Sequence, residues 1–227
     1  VHDVELYVDP VCPFCWQTSK WLRQVQRLEG LDVGWRFISL KMVNEEVGYD
    51  GMPEQYPAVH AEGTRLLRVL AAARAHAGNE AVGTLYAAIG EELWERPAPA
   101  PGDFAAVLSV HAGGFDVRAS LVRVGLPESL AAAAEDPSHD AVLRSETDEA
   151  LARAGAEVGT PIVAFDPPDG PGFFGPVISD LPSDEDAVAY YRAIELLARW
   201  PGFAELKRSL RTLPDVRMLA AMRREAA

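Results

Sequence analysis

Cys12 and Cys15 are the only cysteines in the 227-residue chain and stand three apart in Asp9-Pro10-Val11-Cys12-Pro13-Phe14-Cys15-Trp16. The alternating apolar run Val4, Leu6, Val8 lies directly before them, so the pair falls where a strand hands over to a helix. A helix beginning at Pro13 leaves its first N–H groups unpaired and aimed at the Cys12 sulfur, with the positive end of the helix dipole behind them. Both effects favour thiolate, which predicts a Cys12 pKa in the range of about 3.5–7.5 instead of roughly 8.5. A thiolate with a second thiol three residues on can attack a disulfide and then release the adduct by ring closure.

Two plainer uses of the pair are weaker. A structural zinc needs two more ligands, and His2, His60, His76, His111 and His139 are scattered, with no His-x3-5-His pair. A purely structural disulfide over so short a loop removes little chain entropy. No Gly-x-Gly-x-x-Gly after a strand and no Gly-x4-Gly-Lys-Ser/Thr motif is present, so neither a metal nor a tightly bound cofactor is expected.

The elements that must position the dithiol follow from periodicity. Trp21, Leu22, Val25 and Leu28 keep helical spacing up to Glu29-Gly30, and Val33, Trp35 and Phe37 alternate again, giving a βαβ unit with parallel strands. Ser39 to Met52 reads as irregular. From Pro53 to Val158 the signals are helical: Val82, Leu85, Tyr86, Ile89 and Leu93 share a face, Asp103 is a natural N-cap, Arg96 to Gly102 is a break, and a further helix spans Ser138 to Ala154. Sheet character returns in Ile162–Phe165 and Phe173–Ile178, joined antiparallel by the Pro/Gly-rich turn 166–172. Ser183 caps a helix carrying Ala187, Tyr191, Ile194 and Ala198, and another helix is expected through Phe203, Leu206 and Leu210, with the tail beyond Pro214 undecided. The expected fold class is therefore α/β, with residues 1–52 and 159–227 forming a sheet domain and 53–158 an inserted helical domain.

Composition narrows the function further. A net charge of −13 and a sequence pI near 4.8, without a Lys/Arg cluster, disfavour nucleic acid and anionic membranes as partners. No apolar stretch reaches the length of a membrane span. A lone dithiol without other cysteines suits a reducing cytoplasm. The Ala-rich helices Leu66 to Ala77 and Leu130 to Ala134 could supply a homodimer surface as easily as internal packing.

The element order βαβ, helical insertion, ββα, with Cys-x-x-Cys after the first strand and Gly159-Thr160-Pro161 before the third, resembles the thioredoxin superfamily and its DsbA-like branch. That resemblance implies a cis proline at Pro161 facing the dithiol, with Thr160 offering its backbone to a substrate. More closely, the chain is similar to the mycothiol-dependent nitroreductase group through Asp9 to Trp16, Asn44-Glu45, Pro53-Glu54-Gln55-Tyr56, Val158-Gly159-Thr160-Pro161, Phe173-Phe174-Gly175-Pro176-Val177 and Phe203 to Arg208. This implies a reductase whose dithiol is regenerated by mycothiol, a low-molecular-weight thiol, and which can reduce nitro-aromatic compounds. Asn44 and Tyr56 match two residues that contribute to the site in that group, whereas Phe14 replaces its tryptophan and so loses an indole N–H. Cys12 is expected to be the nucleophile and Cys15 the resolving thiol, Pro13 and Phe14 to tune the potential, and Phe14, Trp16 and Tyr56 to line the cleft. Three rival readings are an isomerase with a bound thiol cofactor, an exported disulfide oxidant, and a non-enzymatic thioredoxin-like binding module.

Overall fold

The computed structural model describes residues 2–155, 157–208 and 212–225. Strand β1 (Val4–Val8) leads into helix α1 (Pro13–Glu29), which returns the chain to β2 (Val33–Phe37), parallel to β1 with Val4 opposite Val33 and Val8 opposite Phe37. Helix α1 stops at Gly30, which takes the left-handed conformation (φ 70°) and donates its N–H to the Gln26 carbonyl. Strand β3 (Ile162–Phe165) lies antiparallel on the other side of β1, and β4 (Gly172–Phe174) pairs antiparallel with β3, giving the order β2-β1-β3-β4.

Between β2 and β3 run α2 (Leu40–Val47), α3 (Tyr56–Ala77), α4 (Asn79–Trp94), α5 (Phe104–Ala112), α6 (Arg118–Arg123), 3-10 turns at Glu128–Glu135 and Pro137–His139, and α7 (Asp140–Ala154). Helix α8 (Asp184–Ala198) follows β4, with Ser183 Oγ accepting the Asp186 N–H at its start, and the chain closes with a 3-10 turn at Arg217–Leu219 and α9 (Ala220–Glu225). This is the expected α/β architecture, a four-stranded sheet interrupted in sequence by a helical insertion between β2 and β3. Among the described residues, no helix is long and apolar enough to cross a membrane.

Alternation in β1 suggests one wet face, yet all five of its residues are buried. Val4, Leu6 and Val8 join the main core with Trp35, Phe37, Val163 and Phe165. On the opposite face Tyr7 packs with Ile162, Ala164 and Ala150 of α7, its hydroxyl donating to Glu149 at 2.8 Å. Glu5 on that face is reached by Arg36 at 2.9 Å and Arg153 at 2.8 Å, so its charge is buried but paired.

Three expected elements differ. Residues 40–47 are helical because Ser39 Oγ accepts the Met42 N–H as an N-cap, a signal that the neighbouring glycines and acids obscured. The second hairpin strand ends at Phe174, since Gly175 takes φ 108° and Pro176 has no N–H to continue the ladder. Residues 203–208 form no helix, and Leu210 lies outside the described residues. Within the Ala-rich segments Leu66, Leu67, Leu70, Ala133 and Ala134 are buried, and α3 packs against the turn at Glu128–Glu135.

The close approach of α4 to α1 depends on Gly90. A Cβ there would stand 2.3 Å from the Trp16 ring. Gly90→Ala is therefore expected to destabilise the fold by about 1–3 kcal/mol through overpacking, read as a fall of several degrees in the thermal midpoint. An unchanged midpoint would show that the α1–α4 contact is not tight.

Candidate active site

Cys12 is the N-cap of α1, in extended conformation (φ −93°, ψ 113°), and Pro13 occupies the first helical position. The turn is closed by Cys12 N–H to the Asp9 carbonyl at 3.1 Å, and its sulfur accepts the Cys15 N–H at 3.3 Å. Across the cleft the Thr160 hydroxyl donates to Cys12 Sγ at 3.2 Å, with the Thr160 carbonyl 4.0 Å away. The Thr160–Pro161 bond is cis. Cys12 shows 6% of its surface, while Cys15 shows none.

These surroundings split the two thiols. Cys12 is held below its ordinary pKa, chiefly by the Cys15 thiol beside it and then, against burial, by the Thr160 hydroxyl and the Cys15 N–H. Cys15 is driven well above its ordinary value, first by burial and then by its neighbour. The direction is the one expected for Cys12, with the Cys15 thiol as the largest cause and the Cys15 N–H at the helix start contributing to it.

Beneath the dithiol lies Asp9, fully buried. Its two oxygens accept the N–H groups of Val11 at 3.1 Å and Leu40 at 2.9 Å, tying the cysteine loop to the start of α2. Burial pushes this carboxyl up to about 7 despite both hydrogen bonds. Helix α3 presses on it through Gly63, where a Cβ would come within 2.5 Å of Asp9 Oδ1. The loop is pinned a second time by Trp94, whose indole donates to the Pro10 carbonyl at 2.9 Å while its ring stacks on His111 at 4.4 Å.

A third group forms an aromatic cluster beside the sulfurs. Tyr56 opens α3, and its hydroxyl is raised by burial and by the nearby Cys12 charge. Its ring stacks on His60 at 5.4 Å, and His60 Nδ1 lies 3.1 Å from the Tyr49 hydroxyl. Burial lowers His60 to about 4, so its ring is neutral at neutral pH.

The expected site residues thus separate. Cys12, Cys15, Pro13 and Thr160–Pro161 meet at the helix start, Tyr56 stands within reach of the Cys12 charge, and Phe14 is half-buried against the main core. Gly159 is exposed, its α-carbon side facing the Phe174 ring. Trp16 does not line the cleft: it is buried edge-on to Tyr86 at 6.1 Å, with its indole donating to Glu95 at 2.9 Å. Asn44 spends its side-chain N–H on the Leu40 carbonyl at 2.7 Å, one helical turn back. Sequence reasoning assigned no role to Asp9, Tyr49, His60 or Trp94. Only Asp9 carried a signal, a lone acid between Val8 and Pro10-Val11 in an otherwise apolar stretch. An open depression of about 470 Å³ at the other end of β1 is lined by Arg192 and Arg199, which are already paired with Glu29, Glu195 and Asp166.

Comparison with known proteins sets this geometry in a family. Among solved structures, the chain is similar to the cytosolic disulfide reductase DsbM from Pseudomonas aeruginosa with GSH (20% identity, 86% of this chain and 99% of that one, TM-score 0.49). It is also similar to a DsbA from Proteus mirablis with a non-covalently bound peptide (14% identity, 87% and 89%, TM-score 0.47). A curated relative, the uncharacterized protein Rv2286c of Mycobacterium tuberculosis, is 30% identical over 218 residues, covering 96% of this chain and 86% of its own length. The family model described as Rv2466c-like, mycothiol-dependent nitroreductase Rv2466c, matches residues 11–208, a span holding both cysteines and the Thr160–Pro161 loop, and the chain belongs to that family.

Proposed function

We propose that the chain is a thiol–disulfide reductase in which Cys12 is the nucleophile and Cys15 the resolving thiol, returned to the dithiol form by mycothiol or a similar low-molecular-weight thiol. The observation that carries this reading is the asymmetry of the sulfurs: Cys12, which keeps 6% of its surface open and holds the Cys15 N–H and the Thr160 hydroxyl, and Cys15, which is sealed behind it. A thiolate so placed attacks a disulfide; the Cys12–sulfur bond forms, the substrate bond breaks, and the first thiolate leaves and takes a proton from water. Cys15 then gives up its proton and attacks Cys12 Sγ, closing the Cys12–Cys15 bond as the second thiolate leaves. Two molecules of the small thiol reverse both steps and depart as their own disulfide.

Pro13, Phe14, Tyr56 and the Gly159-Thr160-Pro161 loop form the substrate face, while Trp16 and Asn44 support it from within. We also propose that residues 53–158 act as an inserted domain walling the cleft, and that the protein works in the cytoplasm, where a reducing thiol pool is available.

The test is reduction of the oxidised protein by mycothiol, glutathione and thioredoxin side by side, with the cysteines counted by alkylation and mass. Rapid reduction by mycothiol supports the reading, and reduction by thioredoxin alone rejects the small-thiol part of it. Nitro-aromatic reduction is expected to be weak because Phe14 offers a smaller stacking face and no N–H. Phe14→Trp should raise it by about two- to tenfold, the size of one aromatic contact. Equal nitro-reducing rates in the two proteins would remove Phe14 from the explanation.

A further inference from the structure

Tyr86, on α4, is 1% exposed, and its hydroxyl has no hydrogen-bond partner among the described residues. Burying a hydroxyl unpaired is unfavourable, and Phe would fill the same space without that penalty. The ring is firmly held, edge-on to Trp16 at 6.1 Å and tilted on Trp35 at 6.0 Å, and Trp16 is the residue that follows Cys15. Behind it lies a second incompletely paired group: the Arg23 guanidinium covers the Trp35 ring at 4.1 Å and donates to the Gly83 carbonyl, while its Nε has no partner. Tyr86 belongs to the same buried core as Cys15 and Cys12, and the charges that act on its hydroxyl include those of Cys15, Cys12, Arg23 and Asp9.

We propose that Tyr86 is a positioning residue for the resolving step, its unpaired hydroxyl, with Arg23 behind it, forming a buried polar reserve that stabilises Cys15 when that sulfur becomes charged. The inference rests on the reading of Cys15 as the resolving thiol. Burial holds the phenol protonated, so it remains a donor throughout. In the resting dithiol no described residue offers the hydroxyl a partner. Its use comes when Cys15–H loses its proton to solvent, Cys15–Cys12 bonding begins and the bond from Cys12 to the substrate sulfur breaks with departure of the substrate thiolate.

The experiment uses the reduced protein and an aryl disulfide, 5,5′-dithiobis(2-nitrobenzoate), whose thiolate is coloured. The first release reports attack by Cys12 and the second reports resolution by Cys15. In Tyr86→Phe the thermal midpoint should be unchanged or raised and the first release unchanged. The second release should slow by about tenfold at neutral pH, the effect of one pKa unit, and its pH midpoint should move upward. A second release with the wild-type rate and pH profile would overturn the proposal, as would a lowered midpoint with both releases slowed alike. Cys15→Ser separates the two readings: if it gives the second release as fast as wild type, the resolving role of Cys15 itself is wrong.

Discussion

Cys12→Ser is expected to abolish turnover, whereas Cys15→Ser should stall the protein as a mixed disulfide on Cys12 that survives non-reducing mass analysis. Serine at position 12 keeps the shape of the helix cap but is a far weaker nucleophile than a thiolate near neutral pH. The loss should be at least about a thousandfold, because the one cysteine that remains, Cys15, is fully buried and its thiol is held protonated by burial. At position 15 serine leaves Cys12 as the attacking sulfur and removes ring closure. Because the Cys15 thiol is the largest influence lowering Cys12, the same variant should also move the midpoint of Cys12 alkylation upward in pH. Unaltered turnover in Cys15→Ser would favour the isomerase reading, and unaltered function in the double variant the non-enzymatic one.

Asp9→Ala is expected to cause the second large effect, and on stability first. The carboxyl accepts two backbone N–H groups in a water-free position, and each orphaned donor costs about 1–3 kcal/mol. A loss on the order of 2–6 kcal/mol would be a large part of a typical domain's stability. Asp9→Asn keeps one acceptor and is the variant in which chemistry can be read. The wild-type carboxyl has a folded pKa of about 7, above its ordinary 3.8, so the folded protein binds the extra proton between those values. Its favourable contribution is present at low pH and is lost as pH rises through about 7. Wild type should therefore lose stability relative to Asp9→Asn across that window in denaturant titrations at stepped pH. The ionised carboxylate also opposes charge on Cys12, so Asp9→Asn should shift Cys12 alkylation to lower pH. Parallel stability curves for the two proteins would show that Asp9 does not titrate in that range.

Much of this was open to reading along the chain because the forces involved are local. A proline three atoms from a sulfur, unpaired N–H groups at a helix start, a capping oxygen at Asp103 or Ser183 and a left-handed Gly30 act between neighbours in sequence. Hence the dithiol at the end of β1, the start of α1 and the order of strands and helices could be stated before any coordinates. Where local signals competed, the reading failed: the Ser39 cap was lost among turn-forming residues, and the apolar run after Phe173 concealed that Gly175 and Pro176 stop the ladder.

The site around the dithiol depended on contacts between residues far apart in the chain. The Thr160 hydroxyl comes to Cys12 from 148 positions away, and Leu40 reaches Asp9 from 31. Trp16, adjacent to Cys15 and plausible as a cleft residue, turns inward because Gly90 of α4 leaves room for its ring. Sequence by itself determined which atoms could do thiol chemistry and where the helix would present them. The tertiary structure alone decided how deeply each sulfur is buried, which acid is sealed from solvent and which phenols lack a partner among the described residues, because burial arises only when distant segments close over the same point.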